Sequence, residues 1–205
     1  MEKIVLIEDR PDRMAHICKK KGLNLEEYEL LKIFTENEIK TVEKDIDANN
    51  FKTLDCFQVV MIHQSAWSQV QLSKLKDYCK RTNKSLVIFS GSVSSSHLHL
   101  ANPPILTIQV DYFYSLRLIS FLEDIFKNCT PNLLILQYGN KWKINMLMEA
   151  RNNLSVFLAK NKGITSLDYY EDSVGIPEAL FTMSKELDLD LEWYENGITD
   201  NAESV

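Results

Sequence analysis

Short β-branched runs recur at Lys3–Ile7, Glu29–Phe34, Phe57–Ile62, Leu86–Phe89 and Ile105–Gln109, and this recurrence most limits what the chain can fold into. Each run is nearly continuous in apolar residues, the pattern of strands covered on both faces, as in a parallel sheet. Stretches with helical periodicity lie between and after them: Asp12–Lys21, Glu36–Asn49, Val70–Thr82 and Phe113–Asn128. Pro11 falls where the first position of a helix accepts it, because the missing N–H has no partner there anyway. Five alternations with short links predict an α/β domain with a doubly wound, five-stranded parallel sheet.

One link breaks the rhythm. Residues 91–104 are short and rich in Ser, Gly and Pro, so a full crossover helix fits poorly. A single helical turn or an irregular surface loop is expected there. The Phe113–Asn128 helix has the opposite peculiarity. Phe121, Tyr114, Ile125, Leu118, Leu122, Phe126 and Ile119 form an arc broader than covering one side of a sheet requires. Tyr114, Leu118, Phe121 and Ile125 are therefore a candidate interaction surface, with cover by the chain's own extension as the plainer account.

Charge divides the chain. Residues 1–128 carry 17 basic and 17 acidic side chains, residues 129–162 five against one, and residues 163–205 one against eleven. The change near Thr130-Pro131-Asn132 places a boundary there, with an α/β domain over 1–128 and a mainly helical extension over 129–205. In that extension, Leu133–Tyr138 reads as a strand, followed by a helix from Trp142 to Lys160 and another from Pro177 to about Leu187. The net charge of −6 argues against non-specific nucleic-acid binding, which needs clustered Lys and Arg. Two acids follow only four apolar residues at the start, and no run approaches a membrane span, so a cytoplasmic location without membrane contact is expected. Cys18, Cys56, Cys79 and Cys129 form no CxxC pair, which leaves free thiols as the simple reading.

The strand ends carry the chemistry. Ile4-Val-Leu-Ile-Glu8-Asp9 followed by a helix resembles the first strand of bacterial response-regulator receiver domains, a signalling family of flavodoxin-like fold. In that family the paired acids hold magnesium. Val59-Val-Met-Ile-His63 resembles the third strand, with His63 where the phospho-accepting aspartate stands. Leu86-Val-Ile-Phe-Ser90-Gly91 keeps the small hydroxyl residue that meets the phosphoryl group. Gln109 takes the place of the lysine that ends the fifth strand, and Val110 that of the proline after it. The resemblance covers residues 1–128 and implies a degenerate receiver pocket of Glu8, Asp9, His63, Ser90 and Gln109, a pseudo-receiver.

The departures are chemical. Phosphoryl transfer to protein needs an anionic oxygen nucleophile, a divalent ion and a cation for the developing charge. His63 and Gln109 remove the first and last, and an imidazole weakens a magnesium site built on Glu8 and Asp9. No cofactor is expected. His63 should instead be a polar strand-end side chain hydrogen-bonded to Glu8 or Asp9, rather than a phospho-acceptor. His97-Leu-His99 places two imidazoles on one side of an extended chain, a metal site only if a third ligand arrives. Tyr138-Gly139-Asn140-Lys141 reads as a plain strand-to-helix turn, with one glycine and no phosphate-loop ending.

Two functions are carried forward. The first is a non-catalytic regulatory or scaffolding protein, not phosphorylated on Asp, acting through a protein partner or self-association. The alternative is a small-molecule-binding or hydrolytic enzyme using Glu8, Asp9, His63 and Ser90 in the strand-end crevice. No nucleophile elbow or glycine-rich cofactor loop supports the alternative.

Overall fold

A computed structural model describes residues 3–94, 96–99, 103–143, 145, 146 and 149. The chain divides into two units, Met1–Asn140 and Lys141–Val205. The first is an α/β unit with the chain order β1 (Ile4–Ile7), α1 (Pro11–Lys21), β2 (Leu31–Ile33), α2 (Glu36–Asp47), β3 (Val59–His63), α3 (Gln69–Arg81) and β4 (Ser85–Ser90), then β5 (His97–His99), β6 (Ile105–Gln109), α4 (Val110–Phe113), α5 (Leu116–Asn128) and α6 (Leu133–Tyr138). Of the second unit, Trp142, Lys143, Asn145, Met146 and Glu149 are described and helical, and the Lys143 ammonium lies 5.5 Å from the centre of the Trp142 ring. The remainder of the helix expected over 142–160, and the whole of the one expected over 177–187, lie outside the described residues.

The sheet has six strands in the order β2-β1-β3-β4-β6-β5. Five are parallel and follow a broadly flavodoxin-like order; the sixth, β5, pairs antiparallel with β6 through Leu98↔Leu106. This corrects the expectation of five strands. The described residues of 91–104 include a strand in place of the expected helical turn or plain loop, because an extended His97–His99 completes hydrogen bonds that the edge of β6 would otherwise leave to water. Both histidines are exposed there, and no third His, Cys, Asp or Glu groups with them among the described residues.

Alternation along the parallel strands sorts their side chains onto two faces. Val5, Ile7, Val60, Ile62, Leu86 and Ile88 form one core with Ile39, Val42 and Ile46 of α2 and Leu72, Leu75 and Cys79 of α3. Ile4, Leu6, Met61, Val87 and Phe89 point the other way and are as fully buried. The α2 and α3 helices begin where they do because Thr35 with Glu38, and Ser68 with Gln71, form reciprocal capping boxes. Gly22 ends α1 in the left-handed region, at φ 66°.

Two expected elements differ. Phe113–Asn128 is not one helix. The Gln109 side chain accepts from the N–H groups of Asp111 (2.6 Å) and Tyr112 (3.2 Å), starting α4. Ser115, in extended backbone, then caps α5 by accepting from the Arg117 N–H. Side chains that cap two helix starts compete with a continuous helix, so the chain breaks at Tyr114–Ser115. Leu133–Tyr138 is a helix, not a strand. Asn132 caps it by accepting from the Leu134 N–H, and Gly139 leaves it at φ 82°. A short, mostly apolar run of this length fits either element by periodicity, and the caps decide it. The 138–141 segment therefore follows a helix. The α6 helix packs along α5 within the Met1–Asn140 unit.

The thiols divide by burial. Cys18 and Cys79 are buried, and Cys56 and Cys129 are exposed. Burial pushes the Cys79 thiol up to about 12 and raises Cys18 as well, which suppresses their thiolates. An aromatic disulfide reagent added to the native protein at mild alkaline pH is expected to react quickly with Cys56 and Cys129. Cys18 and Cys79 should react only after denaturation; prompt labelling of all four would contradict this packing.

Candidate functional site

Pairing of Ile7 with Ile62 puts Glu8 and His63 side by side at the carboxyl end of the sheet. The chain order reverses at this point between β1 and β3, and open α/β sheets form their ligand crevices there. Since Ile7 faces α2 and α3, the alternation turns Glu8 to the opposite face, with His63 and Phe89. One ligand-capable atom from each of Glu8, Asp9 and His63 lies within 4.8 Å of the others. The sequence-derived trio is thus brought together.

Glu8 is deeply buried, with a side chain only 1% exposed, and its carboxylate is filled by the protein's own donors. The Arg13 guanidinium Nη2 donates to Oε1 at 2.7 Å and to Oε2 at 3.0 Å. The Arg10 backbone N–H reaches Oε1 at 3.0 Å, and the Tyr114 hydroxyl reaches Oε2 at 2.9 Å. Burial first, then the charge and hydrogen bond of Glu8, push the Tyr114 phenol well above its ordinary range, so it stays a donor.

Asp9 stands nearer the surface. Its Oδ1 lies 2.5 Å from His63 Nδ1, and its Oδ2 accepts from the Ser65 hydroxyl at 3.0 Å. The same Ser65 Oγ is 2.6 Å from His63 Nδ1. Partial burial raises the Asp9 pKa, but the hydrogen bond and charge of His63 and the Ser65 hydroxyl outweigh it and hold the carboxyl below the ordinary aspartate value. A depressed native pKa contributes stability above the unfolded-state value, and that contribution fades as pH falls through the native one. Asp9→Asn should therefore cost stability at neutral pH, with the difference from the parent shrinking as pH drops below the model-peptide value of 3.8. Urea midpoints measured across acid pH test this; a difference independent of pH would refute it.

Ser90 and Gln109 are register partners on β4 and β6 but do not join the cluster. Ser90 Oγ bonds within its own turn, 2.9 Å from Ser92 Oγ and accepting the Ser92 N–H at 3.2 Å. Gln109 is spent on capping α4. The Phe89 ring is stacked on Phe113 at 4.1 Å, and its centre lies 5.4 Å from that of His63. The five-residue pocket is thus reduced to three of its members. The candidate interaction surface is also corrected: Tyr114, Leu118, Phe121 and Ile125 are all buried, because the α4–α5 break turns Tyr114 inward and α6 covers α5.

Arg13 and Ser65 complete the cluster and escaped the sequence reading. Both had a local signal. Arg13 lies in the first turn of the Pro11 helix, next to the strand end that carries Glu8, and Ser65 lies two residues beyond His63.

The donor set can be tested against two kinds of chemistry. It does not suit magnesium, which prefers an oxygen shell, because Glu8 is engaged by a guanidinium and a phenol and the third ligand is an imidazole. Nor does it form a hydrolytic triad. A relay needs serine and aspartate on opposite ring nitrogens, whereas Ser65 and Asp9 both approach Nδ1 of His63. Among the described residues, no helix is long and apolar enough to cross a membrane. The chain matches no protein-family model, no curated protein and no solved structure.

Proposed function

We propose that the chain is a non-catalytic regulatory or scaffolding module, receiver-like in layout, that acts through protein–protein contact. One observation carries this reading: the strand-end acids are satisfied from within, Glu8 by Arg13, Arg10 and Tyr114, and Asp9 by His63 and Ser65. In the receiver layout a divalent ion would neutralise these acids and await a phosphoryl group. Here the Arg13 guanidinium supplies the positive charge permanently, and no exchangeable ligand is required. What remains for function is shape and surface.

The test is spectroscopic. Full-length protein titrated with millimolar magnesium and acetyl phosphate should show unmoved amide resonances at Glu8, Asp9 and His63 and no gain of a phosphoryl group by intact mass. Saturable shifts at those residues, or a covalent phosphoryl adduct, would overturn the reading and return the crevice to enzymatic or phosphorelay chemistry.

A further inference from the structure

A second feature lies away from the acid cluster. The segment Glu27–Leu30, which leads into β2, and the outer face of α5 enclose an open groove of about 540 Å³. Its walls combine apolar surface with negative charge. Tyr28, Leu30, Leu122 and Phe126 supply the apolar part, and Phe126 is 70% exposed although it is a large aromatic side chain. Glu27, Glu29 and Glu123 supply three carboxylates against the single ammonium of Lys127. Lys127 stands one helical turn beyond Glu123 yet forms no ion pair with it, and none of the three carboxylates pairs with any described cation. The negative field is felt inside the groove: after burial, the carboxylates of Glu123 and Glu27 raise the Tyr28 phenol pKa.

We infer that this groove docks a basic amphipathic helix of a partner protein, its apolar face on Phe126 and the half-buried Leu30 and its Lys or Arg side chains against Glu27, Glu29 and Glu123. The inference rests on the reading of the chain as an interaction module and names the partner's chemistry. Three uncompensated acids beside exposed aromatic surface match a helix carrying apolar residues on one side and cations at its flanks. A second copy of the chain fits poorly, since pairing groove to groove would bring the acidic rims together. The overall charge of −6 would also speed encounter with a basic partner.

Selection of a random-peptide library displayed on phage against the full-length chain tests this. Enriched peptides should carry Lys or Arg beside apolar residues at helical spacing. They should bind the Glu27→Lys, Glu123→Lys double variant about tenfold more weakly or worse, because reversal sets like charges opposite each other. Phe126→Ser, at an exposed position the fold does not need, should weaken the same peptides while leaving the thermal midpoint unchanged. Peptides without basic character, binding indifferent to these substitutions, or no enrichment at all would overturn the groove. So would self-association, seen by sedimentation, that Phe126→Ser abolishes. Peptides that bind elsewhere leave the interaction reading standing, whereas a phosphoryl adduct or magnesium response at Glu8 defeats that reading independently.

Discussion

Arg13→Ala is expected to destabilise the protein by about 2–3 kcal/mol, and Glu8→Gln by only about 1 kcal/mol, although both remove the same ion pair. The asymmetry follows from burial. The Glu8 side chain is 1% exposed and Arg13 28% exposed. Without Arg13, a carboxylate stays inside with only the Arg10 N–H and the Tyr114 hydroxyl to satisfy it, and water cannot reach it freely. Truncating one partner of a fully buried pair costs about 3–5 kcal/mol, and the partial exposure of the arginine lowers that figure here. Without the charge on Glu8, the guanidinium can turn toward solvent, while the glutamine amide keeps an oxygen for Tyr114. The double variant should be no less stable than Arg13→Ala alone, because the uncharged amide has no need of a counter-ion. Urea unfolding at constant slope resolves these differences. Equal losses from both single substitutions would mean that Glu8 is solvated and the self-satisfied cluster does not exist.

This cluster shows how far residue patterns reach. Glu8, Asp9 and His63 could be placed together because acids and a histidine at the ends of adjacent parallel strands meet wherever those strands pair, and β1 pairs with β3. Ser90 and Gln109 occupy comparable strand ends, but side-chain direction there is decided by local competition. Gln109 is captured by two backbone N–H groups of α4 and Ser90 by its own turn. The helix break was legible only in part. Ser115 is a recognisable cap, yet the apolar arc running through it suggests continuity, and only packing shows that an inward Tyr114 hydroxyl satisfies Glu8. The α5 arc illustrates a different limit. A surplus of apolar surface reveals that something must cover the helix without saying what, and the answer came from six residues whose periodicity was ambiguous. The parallel strands and the central helices were legible because burial on both faces and 3.6-residue spacing are properties of each segment alone. Pairings between distant segments are not.

That ambiguity at Leu133–Tyr138 leads to the largest expected effect. A chain ending at Asn128 should fail to fold, whereas one ending at Asn140 should give a dispersed amide spectrum and a cooperative unfolding transition. Charge alone places the boundary at the earlier point, but α6 buries Leu133, Leu134, Ile135 and Leu136, and its carbonyl at Gln137 accepts a hydrogen bond from Arg117 of α5. Each of those four side chains stabilises the fold by roughly 1.5–3 kcal/mol through removal from water. Their combined loss is of the order of a whole domain's stability, about 5–15 kcal/mol. Removal of α6 would also uncover apolar surface on α5, where Leu118, Phe121 and Ile125 are now buried, and a newly exposed apolar face favours aggregation. A single substitution separates loss of packing from loss of chain: Leu136→Ala in the full-length protein should cost about 2–5 kcal/mol, the range for emptying a buried leucine site. A soluble, cooperatively folded chain ending at Asn128, or a Leu136→Ala variant as stable as its parent, would show that α6 is an appendage and that the Leu118, Phe121 and Ile125 face of α5 does not depend on it for cover.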